Sequence, residues 1–451
     1  MNRLSLTLIL PSLLLLTACP VQPQAENDDP GLPLNGPPSP PAGLLTEDDA
    51  WAFIKGELGQ MSGGAVAVAD LTGDGIADLA MGAPGNSHGQ LSGEVGRTTG
   101  RVYIFPGPIG DEVTSLSQAP IILYAEDDRF PFGANLSAGD LDGDGVADLV
   151  VQNPSDTYVF YGPIGEGFQS SAEADARVRV DDWWFSLPHS DHPLADFDGD
   201  GDLDIILQHQ QNGFLIFDAP TGEASSSSAI GRISSDATRL IQSQIETGDL
   251  NGDGIDDLVA RSWDGSTGLY SLHVFTGPLS GERSFEESDA EILHARGGQV
   301  VQLDPISPAS DLLVIFREND PPQGWSLRRF MAPEGFLTEA DGELLLQDGS
   351  VDEAARINTL SSGDLNDDGQ LDLLVGQRIF YGPFTEALPD EAADVVLEGQ
   401  CSSSFISADL NFDGVDDTVC RVPGYFEFED QDEGRSFRPN GAVMLYAGGR
   451  D

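Results

Sequence analysis

Short aromatic and β-branched runs, each closed by a proline or glycine, recur seven times, at residues 101–108, 158–163, 214–220, 272–278, 329–333, 378–383 and 442–448. Runs of this length and composition fit a pleated, half-buried strand, and the closing residue ends it in a turn. A second set of apolar runs follows most of them, at residues 121–124, 177–180, 291–294, 343–346 and 395–397, with 242–245 as an irregular member. Nothing between these runs keeps a helical period. The pattern predicts an all-β chain of short antiparallel strands.

Upstream of the aromatic runs lie polar segments with a fixed spacing of oxygen side chains. In the fullest copy Asp140, Asp142 and Asp144 stand at positions 1, 3 and 5, Gly145 at 6 and Asp148 at 9. In a tight loop alternate side chains turn inward, the carbonyl of position 7, here Val146, adds one oxygen, and the glycine permits the sharp turn. That is how a loop wraps Ca²⁺, which takes about 6 to 8 oxygens. The spacing returns as Asp70, Thr72, Asp74, Ile76 and Asp78, as Asp196, Asp198, Asp200, Asp202 and Asp204, and as Asp249, Asn251, Asp253, Ile255 and Asp257. Two further copies are Asp364, Asn366, Asp368, Gln370 and Asp372, and Asp409, Asn411, Asp413, Val415 and Asp417. Position 6 is glycine in all six, so six Ca²⁺ sites are expected. An Asp-Gly hairpin turn would explain one such copy, not six with the full spacing. An EF-hand is excluded, because it needs a glutamate at position 12 and flanking helices, whereas position 12 is Met81 or Val151 inside a strand-like run. A degenerate copy at residues 303–314 carries Pro305 and Pro308 in its ligand region and predicts strands without the ion.

Successive loops begin 45 to 70 residues apart, room for four short strands each. Seven four-stranded units read as a seven-bladed β-propeller over residues 47–451. No outer run follows the last aromatic run, but an extra one, residues 51–55, precedes the first loop. It is expected to pair with residues 442–446 and close the ring, removing an exposed sheet edge.

The charge balance narrows the partners. Among 451 residues 76 are acidic and 21 basic, for a net charge of -55. The six loops hold 20 carboxylates at positions 1, 3, 5 and 9, so six Ca²⁺ ions leave the surface strongly acidic. Nucleic acid and anionic lipid surfaces are repelled by such a surface. The amino terminus has Arg3, an apolar run over residues 4–16 and a small-residue exit at Thr17 and Ala18, the layout of an export signal over residues 1–18. Residues 20–41 contain eight prolines among acidic and small residues. They cannot bury a core and predict an extended tether over residues 19–46. Export permits Cys401 and Cys420 to pair, yet a hairpin joining them sets Cys420 opposite about residue 406, and the pairing stays open.

Two resemblances follow from these residues. Leu16, Thr17, Ala18 and Cys19 resemble the lipobox of bacterial lipoproteins, which implies cleavage before Cys19, acylation there and a lipid-anchored place in the bacterial envelope, at the outer membrane or cell surface. The calcium loops, with Phe132-Gly133 before the second and Gly82-Ala83-Pro84 after the first, resemble the FG-GAP repeats of the integrin α-chain amino-terminal propeller and its bacterial relatives. That family implies a calcium-stabilised propeller used for adhesion or ligand recognition, but its ligand does not carry over to this chain; an unidentified protein or glycan partner and a monomer are the expectation here.

Catalytic motifs are not evident. His189, Asp191 and His192 read as a polar interblade loop, and no nucleophile elbow, zinc motif or phosphate loop occurs. An exported carbohydrate-active enzyme and a purely structural envelope protein remain the alternatives. The long segment 422–441 carries Tyr425, Phe426, Phe428, Arg435, Phe437 and Arg438, the residue types that anchor binding sites. It is the expected ligand-binding flap.

Overall fold

In a computed structural model of the chain, the described residues are 43–45, 50–56 and 62–448 apart from segments 86–99, 127–130, 181–193, 210–212, 236–238, 302–306, 318–324, 349–359, 385–386, 390–391, 398–402, 423–425, 430–435 and 440–441 and residues 154, 308 and 407. The export signal, Cys19 and His189 to His192 lie outside them.

The seven aromatic runs are the third strands of seven sheets. In blade 1, Val66–Ala69, Asp78–Ala83, Arg101–Phe105 and Ile121–Tyr124 pair antiparallel in chain order. Blade 2 repeats this with Asn135–Gly139, Asp148–Gln152, Thr157–Phe160 and Ala176–Arg179. The first strands of successive blades lie against one another from blade 1 to blade 7, so they ring the axis. The second strand begins on the position-9 aspartate in blades 1 to 6 and one residue after it, at Thr418, in blade 7, and it is buried on both faces, as in Asp78–Ala83 and Asp148–Gln152. This explains its nearly continuous apolar sequence.

Seven apolar clusters fill the described interior, one between each pair of neighbouring blades. The cluster between blades 7 and 1 contains Ile54, Leu79, Val419 and Leu445. Closure there is as expected. Ala52–Lys55 pairs antiparallel with Ala442–Tyr446, with Ile54 opposite Val443 and Lys55 opposite Ala442. A strand near the start of the chain thus supplies the outer edge of the last blade.

Six of the seven sheets hold one strand more than expected. After the third strand of each of blades 2 to 6, a short segment crosses to the previous blade and pairs in parallel with its outer strand, the shortest being Leu388–Pro389 of blade 6 on Glu343–Asp348 of blade 5. Gly167–Ser170 covers Ile121–Tyr124, Gly222–Ser225 covers Ala176–Arg179, and Gly281–Ser284 covers Gly231–Ser234. Gly335–Leu337 covers Ala290–Leu293 in the same way. In blades 2 to 5 a capped 3-10 turn then returns the chain to its own blade. Ser170 and Ser284 cap two such turns, accepting and giving back hydrogen bonds with Glu173 and Glu287. Gly43–Leu45 does for blade 6 what these segments do elsewhere, pairing in parallel with Val395–Leu397. Among the described residues paired backbone therefore begins at residue 43, inside the segment expected as tether.

Two expectations change in detail. Residues 242–245 are not an outer strand but part of Arg239–Gly248, the inner strand of blade 4, and the outer strand of blade 3 is Gly231–Ser234. That strand contains one strongly apolar residue, Ile233, so its alternation is faint. Cys420 faces Ser404 rather than residue 406. Cys420 is disulfide-bonded; Cys401 lies outside the described residues.

Candidate metal centre

Each polar loop joins the first strand of a blade to its second, so all six open on the same face. Blade 2 shows how the sequence builds one. Asp140 bends the chain over itself, its Oδ1 accepting the Asp144 N–H at 3.1 Å and its Oδ2 the Gly145 N–H at 2.9 Å. Asp144 Oδ1 accepts the Val146 N–H at 2.8 Å. Gly143 and Gly145 take left-handed φ values of 72° and 88° that let the turn close. The loop is thus shaped by the carboxylates it presents.

Asp148 is the hub. Its Oδ2 accepts the Leu141 N–H and its Oδ1 the Gly162 N–H, each at 2.7 Å. Gly162 belongs to the turn that ends the third strand, so the two sequence signals, loop and aromatic run, meet at one carboxylate. The same pair of bonds holds Asp78 through Leu71 and Gly107, Asp257 through Leu250 and Gly277, and Asp372 through Leu365 and Gly382. All six position-9 aspartates are almost wholly buried. Burial, with the neighbouring loop carboxylates adding repulsion, raises Asp148 and Asp257 to about 6 and Asp204, Asp372 and Asp417 to about 7. Asp78 is raised by burial too. A buried carboxylate in this state favours a cation beside it.

One oxygen each from Asp140, Asp142 and Asp148 lies within 4.8 Å of the others, and Asp196, Asp198 and Asp204 converge likewise in blade 3. These hard, mostly carboxylate donors suit a hard divalent cation. In the other four loops position 3 is Thr72, Asn251, Asn366 or Asn411, an uncharged oxygen at the same place. Asp218, at the end of a third strand, joins Asp198 and Asp200 in a further acidic group. Sequence spacing missed it because it is distant along the chain; the one sign was an aspartate where the other repeats have an uncharged residue, Pro106, Tyr161, Thr276, Met331, Tyr381 or Ala447, before the turn.

Neighbouring loops are also bonded to one another. The position-8 N–H of one loop donates to the position-1 carbonyl of the loop before it, Ala147 to Asp70 at 3.0 Å and Asp256 to Asp196 at 2.9 Å.

The family model described as the FG-GAP repeat matches residues 62–105, and that described as the FG-GAP-like repeat matches residues 140–207 and 196–260. Residues 62–105 and 140–260 thus carry FG-GAP and FG-GAP-like repeats. Phosphatidylinositol-glycan-specific phospholipase D of Rattus norvegicus is 36% identical over 117 residues, covering 26% of this chain and 13% of that enzyme. Integrin alpha-3 of Cricetulus griseus is 34% identical over 114 residues, covering 24% of this chain and 10% of the integrin. The chain thus spans about an eighth or less of the curated relatives it matches. Among solved structures, the Dos1 propeller aligns over 89% of this chain and 95% of its own at 10% identity and a TM-score of 0.44. At that score the blade count rests on the sheets themselves.

The motif that names the FG-GAP repeats has a packing reason here. Phe132 is fully buried edge-on against Tyr158, ring centroids 5.5 Å apart. A Cβ on Gly82 would collide with the Gly133 carbonyl of the next repeat. The two glycines let adjacent blades touch backbone to backbone.

Elsewhere in the propeller, Ser262, His273 and Glu291 group in blade 4, but not as a catalytic set. Ser262 Oγ and Glu291 Oε1 both face Nε2 of His273, at 2.9 and 3.9 Å, and Nδ1 faces Ser288 Oγ at 3.2 Å. With His273 fully buried, the group serves packing. On the expected flap, Phe426–Glu429 and Ser436–Pro439 form a hairpin in which Phe428 lies opposite Phe437 and Glu427 opposite Arg438. Tyr425 and Arg435 lie outside the described residues.

Proposed function

We propose that this chain is a calcium-stabilised recognition propeller, held at a bacterial cell envelope by a lipid on Cys19 and reading a protein or glycan ligand as a monomer. The observation that supports it best is Asp148, a buried carboxylate converging with Asp140 and Asp142 at the mouth of a loop repeated on six blades. Bound Ca²⁺ supplies two positive charges to each such cage. The chain's own residues do the rest: positions 1, 3, 5 and 9 offer oxygens, and the position-9 aspartate ties the loop to the turn after the third strand. If each site sits in free calcium at about ten times its Kd, it adds roughly 1.4 kcal/mol, about 8 kcal/mol for six, comparable to the stability of a whole domain. The other face, with the 422–441 segment, is left for a ligand.

The test is binding to glycan and protein arrays with calcium and with chelator, alongside native mass spectrometry. Six bound ions and calcium-dependent capture of one ligand class are expected. A metal-free chain that binds nothing in either condition defeats the proposal.

A further inference from the structure

One repeat departs from the calcium pattern without losing its blade. In blade 5 positions 1 and 3 of the loop are Leu303 and Pro305, which offer no side-chain oxygen, so the residues present do not fit a metal. Its position-9 aspartate is nevertheless kept. Asp311 opens the second strand, Asp311–Arg317, and is as buried as its six counterparts.

We infer that the guanidinium of Arg329 is the built-in cation of this repeat, answering the buried Asp311 carboxylate where the other six repeats answer theirs with a metal ion. Arg329 Nε lies 2.8 Å from Asp311 Oδ1, and Nη2 donates to Oδ2 at 2.8 Å, so both carboxylate oxygens are engaged side by side. The register shows that this is a replacement. Arg329 sits opposite Leu313 on the third strand, two residues beyond the aspartate. The same register position holds Ile104, Val159, Ile216, Val274, Ile379 and Leu445 in the other blades. All six are apolar and buried. An arginine therefore occurs at this position in the repeat whose loop lacks the ligands. Glu343, opposite Arg329 on the fourth strand, places a second carboxylate 3.9 Å from Nη1. A buried acid stripped of its partner is strongly unfavourable, whereas replacing both charges by apolar groups is often neutral.

The consequence is that blade 5 holds its sheet with or without calcium. The inference rests on the proposed function only in what it says of the other six repeats. Hydrogen exchange followed by mass spectrometry tests it in the full chain, comparing peptides spanning residues 311–331 with those spanning 148–160, in calcium and in chelator. In the wild type, chelation should lower protection of 148–160 at least tenfold and leave 311–331 unchanged. Arg329→Leu should lower protection of 311–331 at least tenfold in both conditions, and the double variant Asp311→Leu with Arg329→Leu should regain it. Loss of protection at 311–331 on chelation of the wild type, or no effect of Arg329→Leu, overturns the inference. If 148–160 ignores chelator, the calcium reading fails while the two variants still decide the role of Arg329. Should Arg329→Leu fail to fold, folding of the double variant supports the ion pair and its failure counts against it.

Discussion

Gly162 donates its backbone N–H to Asp148 across 2.7 Å, joining the end of one strand to the cage that opens another. A Cβ on Gly162 would stand 2.6 Å from Val146 Cγ1 and 2.7 Å from the Ala147 carbonyl. Gly162→Ala should therefore cost about 1 to 3 kcal/mol through overpacking and lower the melting temperature by several degrees. Gly165→Ala, where a Cβ meets nothing within 4 Å, should change it by less than about a degree. Equal melts for the two variants would remove the turn from the cage.

Asp148→Asn keeps the shape of the hub but sets an amide NH₂ against one of the two N–H groups now facing carboxylate oxygens. One buried donor loses its acceptor, at about 1 to 3 kcal/mol. Calcium stoichiometry by native mass spectrometry should fall by one, and the loss of melting temperature should be larger in calcium than in chelator. An unchanged ion count would remove Asp148 from the ligand set.

The pH dependence should change sign with the metal. In chelator, Asp148, Asp204, Asp257, Asp372 and Asp417 have folded values of about 6 to 7, above the ordinary carboxylate value of about 4. A raised folded value means stability that is complete below the unfolded value and lost as pH rises through the folded one. The metal-free protein should thus melt higher at about pH 5 than at about pH 8, and calcium affinity should fall as pH drops through the 6 to 7 range. Scanning calorimetry in chelator across this window decides it; a melt that rises with pH contradicts the burial argument.

Ring closure rests on a few residues. Ile54 is fully buried between blades 7 and 1, and Ile54→Ala should cost about 2 to 5 kcal/mol. Deleting residues 43–55 should destabilise far more than deleting residues 21–42, measured by chemical denaturation. Similar midpoints for both deletions would show that the arm does not close the ring.

Much of this architecture was legible because two strong signals repeat. The loops from Asp70 to Asp417 announce themselves through side-chain spacing, and the third strands through aromatic runs such as 101–105. Counting outer strands was enough to assign residues 51–55 to the last blade. What escaped had a weak or distributed signal. Gly231–Ser234 is nearly polar, and the crossing strands are too short to alternate visibly, although a serine or threonine followed three residues later by Glu, Asp or Ser marks the turn after them at Ser170, Ser225, Ser284 and Thr338. Arg329 and Asp218 join sites only through cross-strand register, which spacing along one loop does not reveal.

The crossing strands set an order of events for a chain made from its amino end. Each blade in the first half is finished only when the following repeat emerges and lays its segment over the open edge. The arm at residues 43–55, made before any blade, finds both its partners, residues 395–397 and 442–446, only when nearly the whole polypeptide exists. At about 5 to 20 residues per second, that is a wait of roughly 20 to 80 seconds. For all that time the arm lacks both partner strands, and the ring becomes a ring in a single late step.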